Sequence, residues 1–161
     1  MLIVCSGPDS YRAKQKLHGY VASFKEKYDK SGKSIEILNI DDPLQEILSR
    51  LSSPSLFSAK TMVVCEGLLD GLKVSQLKTM AKALVLDADQ TVVLDYEDKK
   101  PSQKTQEYFT DKSLLLYAHD LLEGTALKKE VVTMCQKYGV DSKMADKLIG
   151  AYSNDLWSID S

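Results

Sequence analysis

Five short apolar runs, separated by longer stretches with a helical pattern, constrain the fold of this 161-residue chain most strongly. The runs occupy residues 2–5, 34–40, 61–65, 90–95 and 113–118. Between them, apolar residues recur at intervals of three or four, which is typical of amphipathic helices. Parallel strands need a long crossover connection, usually a helix. The alternation therefore predicts an α/β domain with a five-stranded parallel sheet and helices on both faces.

The pattern changes in the last quarter of the chain, where no further strand is predicted. Two helical patterns, at residues 125–138 and 141–152, are followed by the beginning of a third. A helical pair with one uncovered face is typical of a module that continues or packs on something else. We therefore expect an α/β domain at residues 1–123 and the start of a small, truncated helical module at residues 124–161.

Composition excludes several classes of function. The formal charge of −2, from 21 basic and 23 acidic residues, gives no overall field that would attract nucleic acid or an anionic membrane. The three cysteines are widely spaced and match no zinc motif, which favours buried free thiols. No apolar stretch is long enough to span a bilayer. We expect a cytoplasmic protein without membrane contact that meets DNA only indirectly.

The turn after the first strand lacks the features of a phosphate site. In an open α/β sheet, a phosphate binds at this turn because backbone N–H groups and a helix N-terminus converge there. Gly7 fits the first position of the template G-x-x-x-x-G-K-[ST]. The chain then has Arg12, Ala13 and Lys14 in place of the second glycine, the lysine and the hydroxyl residue. Asp9 also places a negative charge where a phosphate would bind, so we expect neither triphosphate hydrolysis nor a bound cofactor.

The remaining polar residues do not form a recognisable catalytic motif. The carboxylates that follow the third and fourth strands are Glu66, Asp95, Glu97 and Asp98. Such carboxylates are candidates for magnesium binding, but without a phosphate cradle they are better interpreted as solvated strand ends. His18 and His119 have no nucleophile beside them in a known arrangement. We therefore predict no catalytic residues and no metal site.

Two large apolar residues, Leu56 and Phe57, lie in a segment otherwise made of Ser, Pro, Ala and Lys. Each would gain roughly 1.5–3 kcal/mol from full burial, so both are expected to be covered by something. One interpretation is that they complete the core of their own domain. The other is that they form a hydrophobic wedge offered to another protein, because binding energy concentrates in a few such anchors.

The order of these features resembles the N-terminal part of the delta subunit of bacterial DNA polymerase III, a subunit of the clamp loader. The resemblance covers nearly the whole chain, and its most specific part is Ser55-Leu56-Phe57-Ser58 before an apolar strand. The other matching pieces are Thr91-Val92-Val93-Leu94 with Lys99 and Lys100, Tyr138-Gly139-Val140, and Asn154-Asp155-Leu156.

The resemblance implies a RecA-like fold of the AAA+ type without a working P-loop, followed by a helical lid. It also implies a non-catalytic part of the DNA polymerase III holoenzyme that binds the sliding clamp (the beta subunit) and favours ring opening during DNA replication. The clamp-binding residues implied are Leu56 and Phe57, flanked by Pro54 and Leu51. In that family a C-terminal collar joins the other loader subunits. Nothing here matches the collar, which implies a fragment.

Two other classes of function remain open at this stage. The first is a small doubly wound enzyme or nucleotide-binding protein that acts on a phosphorylated ligand at the carboxyl ends of the strands. Such a ligand would raise the melting temperature. The second is an adaptor of unrelated lineage that binds a different protein through the same wedge. Binding to the cognate sliding clamp distinguishes this adaptor from a clamp-loader subunit.

Overall fold

The computed structural model describes residues 1–38, 43–52, 60–87, 90–109 and 113–161. The chain divides into two compact units, Met1–His119 and Asp120–Ser161. This division lies four residues before the predicted boundary at residues 123 and 124. Among the described residues, no helix is both long and apolar enough to cross a membrane.

The first unit contains a five-stranded sheet in which every pairing is parallel, as predicted. The strands are β1 (Leu2–Ser6), β2 (Ile35–Ile37), β3 (Thr61–Glu66), β4 (Thr91–Glu97) and β5 (Leu114–Ala118), in the order β2-β3-β4-β1-β5. β1 lies between β4 and β5, and its Ile3 is level with Leu94 of β4 and with Leu115 of β5. β1 is apolar on both sides because both of its faces are buried.

The connections follow from this strand order. The helices are α1 (Ser10–Tyr28), α2 (Pro43–Ser52), α3 (Val74–Leu86) and α4 (Gln103–Gln106). Crossovers between parallel strands are right-handed, and the step from β1 to β2 runs across the sheet in the direction opposite to all later steps. α1 is therefore placed on one face, and the later helices on the other.

The face that carries α2 and α3 is called the two-helix face below. Its inward side chains from the sheet are Leu2, Val4, Val63, Cys65 and Val93. They belong to one cluster with Ile47 of α2 and with Met80 and Leu84 of α3, all of which are almost fully buried. Burial of each such side chain is worth roughly 1.5–3 kcal/mol, so this cluster is the main core of the unit.

The opposite face, called the one-helix face below, packs against α1. Its sheet residues are Ile3, Cys5, Met62, Val64, Leu94 and Tyr96. α1 contributes Ala13, Leu17 and Phe24, which recur at helical spacing and bury one side of the helix. α1 packs against β1 and β4, the two strands at the middle of the sheet.

α4 is shorter than the sequence indicated. Pro101, in the polar stretch before β5, predicts a short helix that begins there and holds Tyr108 and Phe109, but α4 begins at Gln103 and ends at Gln106. Tyr108 N–H then bonds to the Thr105 carbonyl and Phe109 N–H to the Gln106 carbonyl, at 3.3 and 3.0 Å. These three-residue turns tighten the helix end and place Phe109 in the core of the two-helix face.

All three cysteines, Cys5, Cys65 and Cys135, are free and buried, which confirms the prediction of buried thiols. Burial raises the pKa of Cys5 to about 11. Burial raises the pKa of Cys65 still further, and its thiol donates to the Leu94 carbonyl at 3.3 Å.

The second unit is helical throughout its described elements. It consists of α5 (Gly124–Lys137), a 3-10 turn (Ser142–Met144), α6 (Ala145–Tyr152) and α7 (Leu156–Asp160). Its buried residues are Leu127, Val131, Met134, Cys135, Ala145 and Leu156. Gly139, with φ of 68°, ends α5 because a left-handed residue lets Val140 N–H reach the Cys135 carbonyl at 2.8 Å.

Candidate functional site

The turn after β1 is closely bound to the end of β5. Gly7 N–H donates to the Glu97 carbonyl at 3.1 Å, and Asp9 N–H donates to the His119 carbonyl at 3.1 Å. Gly7 has φ of 122°, and a Cβ atom there would lie 2.4 Å from the His119 carbonyl oxygen. Only glycine fits this position. The N–H groups of Gly7 and Asp9 are therefore used within the protein rather than held ready for a ligand.

The N-terminus of α1 is occupied by the side chain of Asp9, which is buried. Its carboxylate accepts the Arg12 N–H at 3.0 Å and also pairs with Arg12 Nε at 2.7 Å. A helix N-terminus carries partial positive charge and attracts anions. Asp9 places its own negative charge at this point. A carboxylate thus stands where a phosphate group would bind in a nucleotide site of this fold.

Glu66, at the end of β3, lies on the surface. Its carboxylate pairs with Lys14 Nζ at 3.2 Å, and the same ammonium group lies 4.9 Å from the centre of the Tyr96 ring. Exposed ion pairs contribute between nothing and about 1 kcal/mol. Glu66 therefore matches the prediction of a solvated strand end.

Asp95 and Glu97 do not match that prediction, because both are buried, with exposures of 0% and 2%. Asp95 accepts the Leu68 N–H at 3.2 Å. Glu97 accepts the Leu69 N–H at 2.6 Å and the Asp70 N–H at 3.3 Å. The two carboxyl groups thus hold the connection that follows β3, and the interpretation of both as solvated carboxylates was wrong.

Burial raises the pKa of Asp95 well above its ordinary value, and the neighbouring Glu97 raises it further. The shift favours the protonated form, which costs less to bury than a carboxylate. Asp95 Oδ2 and Ser6 Oγ are buried without a hydrogen-bond partner among the described residues. Across all of the described residues, no group of three or more His, Cys, Asp or Glu side chains is arranged to hold a metal ion.

The two histidines lie in different parts of the fold and differ in their exposure to solvent. His18 is exposed on α1. His119 follows β5, and its pKa is lowered by burial and by the positive charge of Arg12. Its Nε2 atom is buried and has no hydrogen-bond partner in the described part of the chain.

Three of the four residues expected to bind a clamp, Pro54, Leu56 and Phe57, lie outside the described residues. The fourth, Leu51, is in α2 and has an exposure of 6%. It packs in the cluster of the two-helix face. Leu51 therefore stabilises the core in this structure, and its contact with a clamp stays a prediction.

The described residues on either side of the segment 53–59 are held firmly. On one side, α2 is fixed by Ile47 and Leu51 in the core. On the other, Lys60 Nζ lies 5.2 Å from the centre of the Tyr28 ring, and Thr61 N–H donates to the Gln90 carbonyl at 2.9 Å. The described residues that flank positions 53–59 are therefore packed against the first unit on both sides.

Two surface grooves of the first unit were not foreseen from the sequence. One, of about 490 Å³, lies between α3 and Tyr108 and is bordered by Val85 and Leu86. The other, of about 390 Å³, lies between α1 and the β2–β3 edge of the sheet. Each groove has a largely exposed apolar residue beside it, Leu86 in the first and Ile37 in the second.

The fold is similar to that of the DNA clamp loader delta protein (YqeN) of Bacillus subtilis, with a TM-score of 0.63 and 16% sequence identity. The aligned region covers 99% of this chain and 50% of that chain, so this chain spans about half the length of its neighbour. No family model and no curated protein matches the sequence. The five-stranded parallel sheet flanked by helices is therefore a RecA-like α/β fold of the kind found in a clamp loader delta protein.

Proposed function

We propose that this chain is a delta-like part of a replication clamp loader, which binds a ring-shaped sliding clamp through Leu56 and Phe57 and favours opening of the ring. The observation that carries the proposal is the similarity of fold, over 99% of the chain, to a clamp loader delta protein. The Leu-Phe pair adds to it, because two adjacent apolar anchors suit an apolar socket on a partner.

The turn after β1 supports a role that does not depend on binding or hydrolysing ATP. Asp9 caps α1 and pairs with Arg12, so a phosphate there would face a carboxylate at short range. Like charges at such distances repel each other strongly in a partly buried site. The same feature argues against the alternative of an α/β enzyme or nucleotide-binding protein that acts on a phosphorylated ligand.

The fixed flanks of the segment 53–59 support its use as a binding element. Near the end of α2, Leu51 packs in the core, and on the other side of the segment Lys60 and Thr61 contact Tyr28 and Gln90. A binding segment held at both ends loses less freedom when it docks, so more of its contact energy appears as affinity.

Ring opening requires a difference in affinity between two states of the clamp. A wedge that bound the open and closed rings equally well would not shift their populations. Two buried apolar anchors contribute a few kcal/mol at most, at roughly 1.5–3 kcal/mol each. We therefore propose that Leu56 and Phe57 bind a pocket whose shape is more complementary in the open ring.

Calorimetric titration of the cognate sliding clamp into this chain, with and without ATP, tests the proposal. We expect binding that is the same under both conditions. The double variant Leu56→Ala with Phe57→Ala should weaken it by about a hundredfold or more, because anchor residues of this kind cost about 2 kcal/mol or more each.

The chain offers a matched control, because Val85 and Leu86 are also adjacent and apolar, and both are exposed. Val85→Ala with Leu86→Ala should leave clamp affinity unchanged. A large fall in the melting temperature of the Leu56 and Phe57 variant would instead favour the interpretation that these residues complete the core. Retained binding by that variant, or an absolute need for ATP, would contradict the proposal.

Assembly with the other loader subunits is also part of the proposal. It has no support from the aligned region, which covers half of the Bacillus subtilis chain. We expect those contacts to require a collar domain for which no counterpart is recognised here. Contact with DNA through the clamp and action in the cytoplasm are likewise parts of the proposal.

A further inference from the structure

The one-helix face is incompletely covered. The step from β1 to β2 runs across the sheet in the direction opposite to the later steps. Because crossovers between parallel strands are right-handed, α1 is the one helix on this face among the described residues. α1 packs on β1 and β4. Parallel sheets are normally covered on both faces, but here the buried cluster on α1 includes Met62 and Val64 of β3 and leaves the edge strand β2 partly open.

The open part of this face is apolar. Ile35 is level with Met62 of β3 and Ile37 with Val64, so both isoleucines point to the same face as the cluster packed on α1. Ile37 nevertheless has an exposure of 73%. A groove of about 390 Å³ runs here, with Leu17 and Val21 of α1 forming its other wall.

The charged residues of the groove are mostly basic. Lys14, His18 and Lys25 border it, against the single carboxylate of Glu66, which is already paired with Lys14. Glu36, the only acidic residue of β2, points to the opposite face and pairs with Arg50 at 2.9 Å. The rim of the groove therefore complements an acidic partner.

The width of the open strip suits a helix. Adjacent strands lie about 4.8 Å apart, so the middle of β2 and β3 lies roughly 10 Å from the middle of β4 and β1, where α1 packs. Packed helices have axes about 8–10 Å apart. A second helix in the groove beside α1 would thus rest on the edge strand β2, against Ile35 and Ile37. An added strand would instead pair with the edge of β2 and leave the face of Ile37 uncovered.

We propose that the groove between α1 and the β2–β3 edge is the docking site for an amphipathic helix of a partner protein, with an apolar stripe on Ile35, Ile37 and Val21 and acidic side chains toward Lys25 and His18. This site shares no residue with the clamp-binding segment. The proposal goes beyond clamp binding, and it stands or falls separately.

Selection from a phage-displayed library of helical peptides on the full chain tests the proposal. We expect enrichment of peptides with apolar residues at intervals of three and four and with Asp or Glu beside them. Ile37→Asp should reduce the affinity of the enriched peptides by about tenfold or more. Leu86→Asp, at a residue with 89% exposure outside the groove, should leave it unchanged.

A charge reversal sharpens the result. Lys25→Glu should lower the affinity of the acidic peptides and raise the affinity of versions in which Glu is replaced by Lys. Both changes in affinity should be smaller at high salt. The proposal would be overturned by the absence of enriched amphipathic peptides, or by peptides whose binding ignores Ile37→Asp. Dimerisation of the chain that Ile37→Asp abolishes would also overturn it, because a second copy would then be the occupant.

The test is independent of the clamp. Ile37→Asp should keep its melting temperature, since the side chain it replaces is mostly exposed, and should bind the sliding clamp as the unaltered chain does. Loss of clamp binding by Leu56→Ala with Phe57→Ala, with peptide binding intact, would show the two surfaces acting separately.

Discussion

The two faces of the sheet are built from the same five strands but differ in what covers them. The two-helix face packs α2 and α3 over a continuous apolar cluster and buries Asp95 and Glu97 at its end. The one-helix face has α1 over the middle strands and leaves Ile37 largely exposed. Strand order alone therefore places α1 on one face and the later helices on the other, and the edge strand β2 stays partly uncovered.

The largest expected difference between the faces comes from truncating one apolar residue on each. Leu84→Ala should lower the free energy of unfolding by about 2–5 kcal/mol, because it leaves a cavity under α3. Ile37→Ala, on the open part of the other face, should change it by no more than about 0.5 kcal/mol. Urea unfolding of both variants measures the difference. Equal losses would mean that the one-helix face is as tightly packed as the other.

A smaller effect is expected from the buried acid at the end of β4. Glu97→Ala removes the acceptor for the Leu69 and Asp70 N–H groups and should cost about 1–3 kcal/mol. Glu66→Ala is the matched control on the surface, where loss of the pair with Lys14 should cost at most about 1 kcal/mol. Hydrogen exchange at Leu69 provides a second measurement, and unchanged protection there in Glu97→Ala would contradict the assignment.

The smallest expected effect is a change in pH dependence. The pKa of Asp95 is higher in the folded chain than in the unfolded chain, so the folded chain binds more protons between the two values. The contribution to stability is complete below the unfolded pKa of about 4 and is lost as pH rises through the folded pKa.

Asp95→Asn should remove this dependence. The stability of the unaltered chain relative to the variant should therefore fall as pH rises from about 4 through the raised pKa of folded Asp95. Thermal unfolding of both proteins across this range measures the trend. A difference that stays constant with pH would show that Asp95 titrates alike in the folded and unfolded chains.

Much of the sheet could be predicted from local patterns. Strands buried on both faces are continuous apolar runs, and β1 and β3 follow this rule over most of their length. β2 was expected over residues 34–40, and the described strand is Ile35–Ile37. An edge strand pairs with a neighbour on one side only, so its pattern of apolar and polar residues defines the ends of the strand less clearly. Residues 39–40 lie outside the described part of the chain.

The buried acids could not be predicted in the same way. Asp95 and Glu97 alternate with Leu94 and Tyr96, which is typical of a strand with one solvated side. The groups that satisfy them are N–H groups 27 and 28 residues away in sequence, at Leu68 and Leu69. No local pattern reports a partner at that distance. The identity of the clamp-binding residues depends on the resemblance alone and stays a prediction.

The burial of all three native thiols has a practical consequence for probing this protein. With a pKa of about 11, only roughly one Cys5 side chain in ten thousand is ionised at pH 7, and thiolates are the species that react with maleimides. A single cysteine introduced in place of Leu86, which is 89% exposed, should therefore take up a fluorophore while the native thiols remain unmodified. Spectroscopic reporters can be attached to the surface of this chain without first removing any native cysteine.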